Sequence, residues 1–162
     1  MNPIEKYLTL ATDILAHQGT KLAFFKGSFR PDVVIVGEAP GPEENAAGLP
    51  FIGRSGILLS EVLESSGLAK YQLAFLNPVF RMPVGSAGSF RKPTLEEIDH
   101  YRPMAQEILQ FLSPKYILLM GSTACEAILG QSRVTRLRGQ WVGSALPTFH
   151  PSFVLRNHGA EV

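Results

Sequence analysis

Residues 33–41 read VVIVGEAPG. Four consecutive β-branched residues with no polar interruption predict a strand buried on both faces, as in a parallel sheet. Gly37, Pro40 and Gly41 then turn the chain. That turn carries Glu38, an acid delivered to the carboxyl end of a core strand, where the ligand crevice of a parallel sheet opens. The turn is not a phosphate-binding loop, since no Gly-Lys-Ser/Thr follows, and it is not a dinucleotide-binding Gly-x-Gly-x-x-Gly. Glu43, Glu44 and Asn45 come next, then Gly48 and Pro50-Phe51-Ile52-Gly53. An aromatic held on a loop bounded by proline and glycine can stack on a planar ring. The competing reading is that Phe51 closes the edge of the core.

Outward from this strand, helices and strands alternate. Asn2-Pro3 with Glu5 starts a helix whose apolar spacing, from Ile4 to Leu15, predicts that it runs to Gly19. Residues 55–66 form a helix with Leu58, Leu59, Val62 and Leu63 on one face, stopped by Gly67. LAFLN, at 73–77, is a short strand. Residues 78–93 are a Gly-, Pro- and Ser-rich loop of a length that compact domains reserve for function. Thr94 and Glu97 make a capping box for a helix to Leu112, which Pro103 is expected to kink or split. A strand at 115–121, a short helix at 122–130 and a strand at 145–149 follow. Strands this apolar, alternating with helices, predict a parallel sheet covered on both faces, in one domain spanning residues 1–162.

Composition sets limits. With 45% hydrophobic and 18% charged residues, the 162-residue chain suits one soluble globular domain. No apolar run reaches the roughly 18 to 20 residues that span a bilayer. The acids and polar residues of the N-terminus do not read as a secretory signal, so a cytoplasmic protein without membrane attachment is expected. The single cysteine, Cys125, excludes an intramolecular disulfide and a cysteine-based metal site. Its short apolar helix makes it a packing residue. His17, His100, His150 and His158 show no metal-ligand spacing. Nor is there a Gly-x-Ser-x-Gly nucleophile elbow. Net charge is only +1, yet residues 127–160 hold four arginines, two histidines and no acid. A phosphate backbone requires such a basic face, though a solvated surface would also carry it.

Two more segments leave the predicted sheet at its carboxyl edge. Asn77 ends one strand before a proline. There it could do turn work only, or offer a donor and an acceptor side by side to the edge of a pyrimidine. His150-Pro151-Ser152 ends another, followed by Phe153, Val154, Leu155 and Arg156. Apolar residues on an exposed loop beside an arginine are costly unless they insert into something, as the wedges that unstack duplex DNA do.

Taken together, GEAPGPEENAAGLPFIGRSG, FLNPVFRMP, SPKYILLMGSTACEAILG and RLRGQWVGSALPTFHPSFVLR resemble the uracil-DNA glycosylase superfamily, nearest its family 4, over about residues 30–156. The resemblance implies an α/β fold, a three-layer α/β/α sandwich with a central four-stranded parallel sheet. It implies removal of uracil from DNA, with uracil-containing DNA as partner and a monomer as the working unit. Glu38 would hold the attacking water, Glu44 would lie close to that chemistry, and His150 would bind the O2 side of the base. Gly37, Ala39, Phe51 and Asn77 would form the uracil pocket, with Phe51 stacking on the base and Asn77 reading its edge. Ser152, Phe153, Val154, Leu155 and Arg156, with Arg138, would meet the DNA. Family 4 usually binds a [4Fe–4S] cluster through four cysteines. Here VFRMP and Tyr101-Arg102-Pro103 lack the cysteines expected, so no metal and no cofactor are predicted, with Phe80 and Tyr101 filling the space. Ala39 stands where other glycosylases place an acid or amide that directs the water, which leaves Glu38 or Glu44 to do so. The chain also stops soon after the last motif, without the helix expected there. These departures keep a second reading open, a weak or inactive glycosylase-like domain that binds DNA or a free base.

Overall fold

Strand β2 (Val33–Val36) lies in the middle of a five-stranded sheet of order β1-β3-β2-β4-β5. The computed structural model describes residues 1–157, so His158 and the end of the basic stretch lie outside the described residues. Strands β2, β3 (Leu73–Leu76), β4 (Tyr116–Met120) and β5 (Ala145–Thr148) are parallel, as expected. A fifth strand, β1 (Phe25–Gly27), adds antiparallel to the free edge of β3. Its three residues are too few to show an alternation in the sequence. At the opposite edge, β5 contains Pro147, which is tolerated because no further strand needs its missing N–H; its carbonyl accepts from Gly139 N–H at 3.0 Å.

The strands alternate their side chains between two layers. Val34, Val36, Ala74, Leu76 and Leu119 pack against α1 (Pro3–Leu8), α4 (Leu95–Leu112) and α5 (Gly121–Leu129). Ile35 and Met120 face the other way, onto Leu59 and Leu63 of α3 (Arg54–Ser65). Three short helices complete the chain: α2 (Pro42–Ala47), α6 (Val134–Leu137) and α7 (Pro151–Arg156), the last packed on α3.

Two expectations are corrected. Helix α1 begins at the predicted Asn2 cap, which proves to be a capping box with Glu5, but ends at Leu8, well short of Gly19. Beyond it, the carbonyls of Leu10 and Thr20 accept from the Arg81 guanidinium, and Asp13 pairs with the same group at 2.8 Å. A continued helix would have used the Leu10 carbonyl itself, so the tertiary contact overrides the periodicity. Helix α4, capped by Thr94 as predicted, runs through Pro103 without splitting. Pro103 is exposed, and water can replace the hydrogen bond it forfeits.

Register decides where the chemistry collects. Val36 lies beside Leu76 and beside Leu119, and Met120 lies beside Thr148. All four parallel strands therefore end at one level, and Gly37, Asn77, Gly121 and Phe149 are the residues that leave them. The chain steps from β2 to one side, to β3, and returns on the other, to β4. The carboxyl end of β2 is thus the switch point of the sheet, where ligands bind in such folds.

Candidate active site

A cleft of about 270 Å³ opens at this level, lined by Glu38, Ala39, Glu44, Phe51, Asn77, His150, Ser152 and Arg156 among others. The structure therefore gathers residues from four separate segments of the chain. Gly37 does not line the cleft but backs it. A methyl group there would lie 2.6 Å from the Phe51 ring and 2.9 Å from Asn77 Oδ1, so only glycine lets ring and amide close on the strand end. Ala39, half-buried, packs against the main core.

Asn77 is 3% exposed. Its Nδ2 donates to the Ala23 carbonyl at 3.2 Å, while its Oδ1 is turned toward Gly37. That bond fixes which end of the amide is the acceptor. Ala23 lies just before β1, so the orienting partner comes from a segment without a sequence signal.

His150 caps α7. Its Nδ1 accepts the backbone N–H of Ser152 at 3.1 Å and lies 2.8 Å from the Ser152 hydroxyl. A backbone N–H can only donate, so Nδ1 is the acceptor and the neutral ring carries its proton on Nε2. Burial pushes the imidazole below its ordinary 6.5; Glu38 opposes this, and the cations Arg156 and Lys92 reinforce it. Gly121 permits the close approach of β4, since a methyl there would lie 2.9 Å from His150 Cβ, at a φ of +90°.

Glu38 is half-buried, and its Oε2 accepts a 2.9 Å hydrogen bond from the Thr123 hydroxyl on α5. Sequence reasoning missed Thr123. Its signal was its place in MGSTAC, immediately after a strand that ends at the same level as β2.

Glu44 is buried, and both carboxylate oxygens are engaged by backbone. Oε1 accepts from Gly41 N–H (3.0 Å), and Oε2 accepts from Ile52 (2.9 Å) and Gly53 (2.6 Å). One side chain thus ties the turn after β2 to the loop that carries Phe51. Phe51 has a φ of +59°, a conformation that costs a residue with a Cβ on the order of 1–3 kcal/mol. Besides Glu44, Lys26 holds it there by donating to its carbonyl at 3.2 Å. Gly56 leaves room for that carbonyl against α3. The Phe51 ring packs on Phe75 at 5.5 Å as well as facing the cleft, so both sequence readings describe part of its environment.

The remaining predicted residues divide. Residues 153–156 form the body of α7 rather than a loop. The Phe153 ring stacks on Phe149 at 4.4 Å, and the Arg138 guanidinium lies over Phe149 at 4.8 Å. Phe153 and Arg138 are thus joined through Phe149, and Phe149 and Phe153 line a smaller cavity of about 100 Å³ that shares Glu38 and His150 with the cleft. Val154 and Leu155 are half-buried, and Arg156 is exposed at the cleft mouth.

A cleft at the switch point, with a fixed amide, a neutral histidine and a held carboxylate, defines a protein that recognises a planar heterocycle and can stabilise charge on it. The comparisons give the family. The model of the uracil DNA glycosylase superfamily matches residues 24–161, and the chain belongs to that superfamily. It is 34% identical over 150 residues to the type-4 uracil-DNA glycosylase of Thermotoga maritima, covering 88% of this chain and 76% of that one. It is 30% identical over 145 residues to the type-4 uracil-DNA glycosylase of Pyrobaculum aerophilum, covering 81% and 71%.

The donor set does not fit a [4Fe–4S] cluster. Such a cluster takes four cysteine thiolates, and the one cysteine here, Cys125, is buried on α5. In VFRMP and Tyr101-Arg102-Pro103, the segments where cysteines were expected, Arg81 and Tyr101 are both buried. Arg81 pairs with Asp13, with side chains only 8% and 1% exposed. Tyr101 packs on Phe80 at 4.9 Å, and Phe80 stacks on Phe24 at 4.1 Å. Burial, with Asp13 beside it, drives the Tyr101 phenol far above its ordinary range. Among the described residues no cluster of His, Cys, Asp and Glu could hold a metal ion, and no helix is long and apolar enough to cross a membrane.

Proposed function

We propose that the chain is a monofunctional glycosylase that removes uracil from DNA and leaves an abasic site. The observation that carries this reading is the Asn77 amide, fixed by Ala23, in the same cleft as the Nε2–H of a neutral His150. Uracil presents an N3–H donor to Asn77 Oδ1. Cytosine presents a lone pair at the same place, leaves the buried amide unpaired and is rejected.

The base must leave the stack to reach the cleft, at a cost of a few kcal/mol. Phe51 receives it face to face. As the C1′–N1 bond breaks, its electron pair passes to the uracil ring and charge gathers on O2, where the His150 Nε2–H donates. A donor aimed at developing charge is worth on the order of 100-fold or more in rate. The sugar becomes cation-like. Glu38, held by Thr123, stabilises it and orients the water whose oxygen bonds to C1′ while its proton passes to the Glu38 carboxylate and from there to solvent. Glu44 serves the same step at one remove, by locking the Phe51 loop to the turn that carries Glu38. Arg156 and the exposed part of α7 meet the DNA backbone. The enzyme works as a cytoplasmic monomer without a metal or an iron-sulfur cluster. The Arg81–Asp13 pair and the Tyr101 stack fill the cluster's place.

The test is excision from labelled single-stranded and U:G duplex oligonucleotides, with alkali revealing abasic sites, for the parent and His150→Ala. Breaks at uracil that fall sharply in the variant are expected. Binding by both proteins with no breaks from either would replace the enzyme with a recognition domain.

A further inference from the structure

The hairpin between β3 and α4 is a built element whose one part in the site so far is the charge of Lys92 near His150. Val84 and Phe90 pair as an antiparallel bridge, and Gly85 N–H donates to the Ser89 carbonyl at 2.6 Å. Arg91 staples its base, donating to the Val84 carbonyl at 3.2 Å and pairing at 2.7 Å with the buried Glu97. The residues on either side of Arg91 face the other way, as alternate residues of an extended stretch do. Phe90 and Lys92 both line the cleft that holds Glu38, Asn77 and His150.

Phe90 is 45% exposed. Lys92 is exposed and forms no ion pair among the described residues. A large aromatic left in water beside a cleft, next to an unpaired cation, supplies the two things a single nucleic-acid strand requires: a face on which a base stacks, and a charge for its phosphate. Arg156 stands at the same mouth, so cations from two separate segments converge on one entrance.

We propose that the 84–92 hairpin grips the DNA strand beside the extruded nucleotide, with Phe90 stacking on the neighbouring unpaired base and Lys92 neutralising the adjacent phosphate. This rests on the reading of the cleft as a uracil site. It adds a preference for unpaired strands, because a neighbouring base still paired in a duplex offers no free face to Phe90.

The test reads binding apart from turnover. The labelled oligonucleotide carries 2′-fluoro-deoxyuridine, whose fluorine disfavours the cation-like sugar and blocks cleavage. Phe90→Ala is expected to weaken single-strand binding by about tenfold or more, and Phe90→Trp to retain it. Lys92→Gln is expected to flatten the slope of log affinity against log salt by about 0.7 on a single strand. With ordinary uracil oligonucleotides, both should raise KM more than they lower kcat. Both sites are exposed, so unchanged melting curves establish that the variants fold. Parent-like affinity and salt slope in both variants would overturn the inference, as would an equal loss on duplex and single strand. Failure of the parent to excise uracil would instead strike the proposed function, with the binding series still deciding the role of the hairpin.

Discussion

The Thr123 hydroxyl donates a 2.9 Å hydrogen bond to Glu38 Oε2, joining the first turn of α5 to the turn after β2. Thr123 is 6% exposed, so water cannot readily take its place. A hydrogen bond to a charged group is worth about 1.5–3 kcal/mol. Thr123→Val should therefore lower the single-turnover rate of uracil excision by about tenfold or more. Thr123→Ser, which keeps the donor, should stay near the parent.

His150 should set the acid limb of the pH profile. Its folded value lies below the ordinary 6.5, chiefly because the ring is desolvated. The neutral ring is thus the major form at 6.5, and the rate should be level there and above, falling only as the pH drops through the lowered value. Stability moves the same way. Between the two values the unfolded chain binds the extra proton, so this contribution is present above 6.5 and lost as pH falls through the folded value. A pH series of single-turnover rates checks the first statement. His150→Gln should lose on the order of 100-fold in rate and remove this acid limb.

Glu44 should act by position. Replacing it with glutamine puts an N–H₂ where one of three backbone donors now finds an oxygen. An unpaired buried donor costs about 1–3 kcal/mol, and the Phe51 loop should loosen. Glu44→Gln is expected to lower the urea midpoint and raise KM more than it lowers kcat. A fall in kcat with KM unchanged would instead give Glu44 a direct part in the chemistry.

The Arg81–Asp13 pair should behave as a buried ion pair. Losing one partner strands the other charge, at a cost of about 3–5 kcal/mol, whereas replacing both with apolar residues is often neutral or better. Asp13→Ala is expected to destabilise strongly, and Asp13→Leu with Arg81→Met to recover only part of the loss, since the Leu10 and Thr20 carbonyls lose their donor. Urea unfolding measures both. The purified protein should contain neither iron nor acid-labile sulfide.

Much of this site was legible because its parts follow strands that announce themselves. VVIV, LAFL and YILLM are runs that only a buried sheet explains, and Glu38 and Asn77 stand where those runs stop. His150 follows the shorter run ALPTF in the same way. What escaped were the partners that orient these residues. Ala23, which fixes the Asn77 amide, contributes only a carbonyl, and any residue has one. Thr123 is a small hydroxyl in an apolar helix. The early end of α1 was hidden for a related reason, since its carbonyls turn to an arginine some seventy residues on, beyond the reach of local periodicity. Glu44 was visible as an acid, but its three backbone partners belong to a loop whose path the sequence left open.

The four parallel strands do not hold the site equally. Strand β5 pairs with one strand only, β4, its outer side held just by the Val142–Ala145 bridge and by Gly139 N–H on the Pro147 carbonyl, while β2 and β3 each pair with a strand on both sides. Local opening favours such an edge. His150 would depart with it, while Glu38, Asn77 and Phe51 stayed assembled on the inner strands. On warming, catalysis should fail before the fold does, and the protein should pass through a state that still accepts uracil but no longer releases it from the sugar. The margin of its working temperature should therefore be set by a single strand at the edge of the sheet.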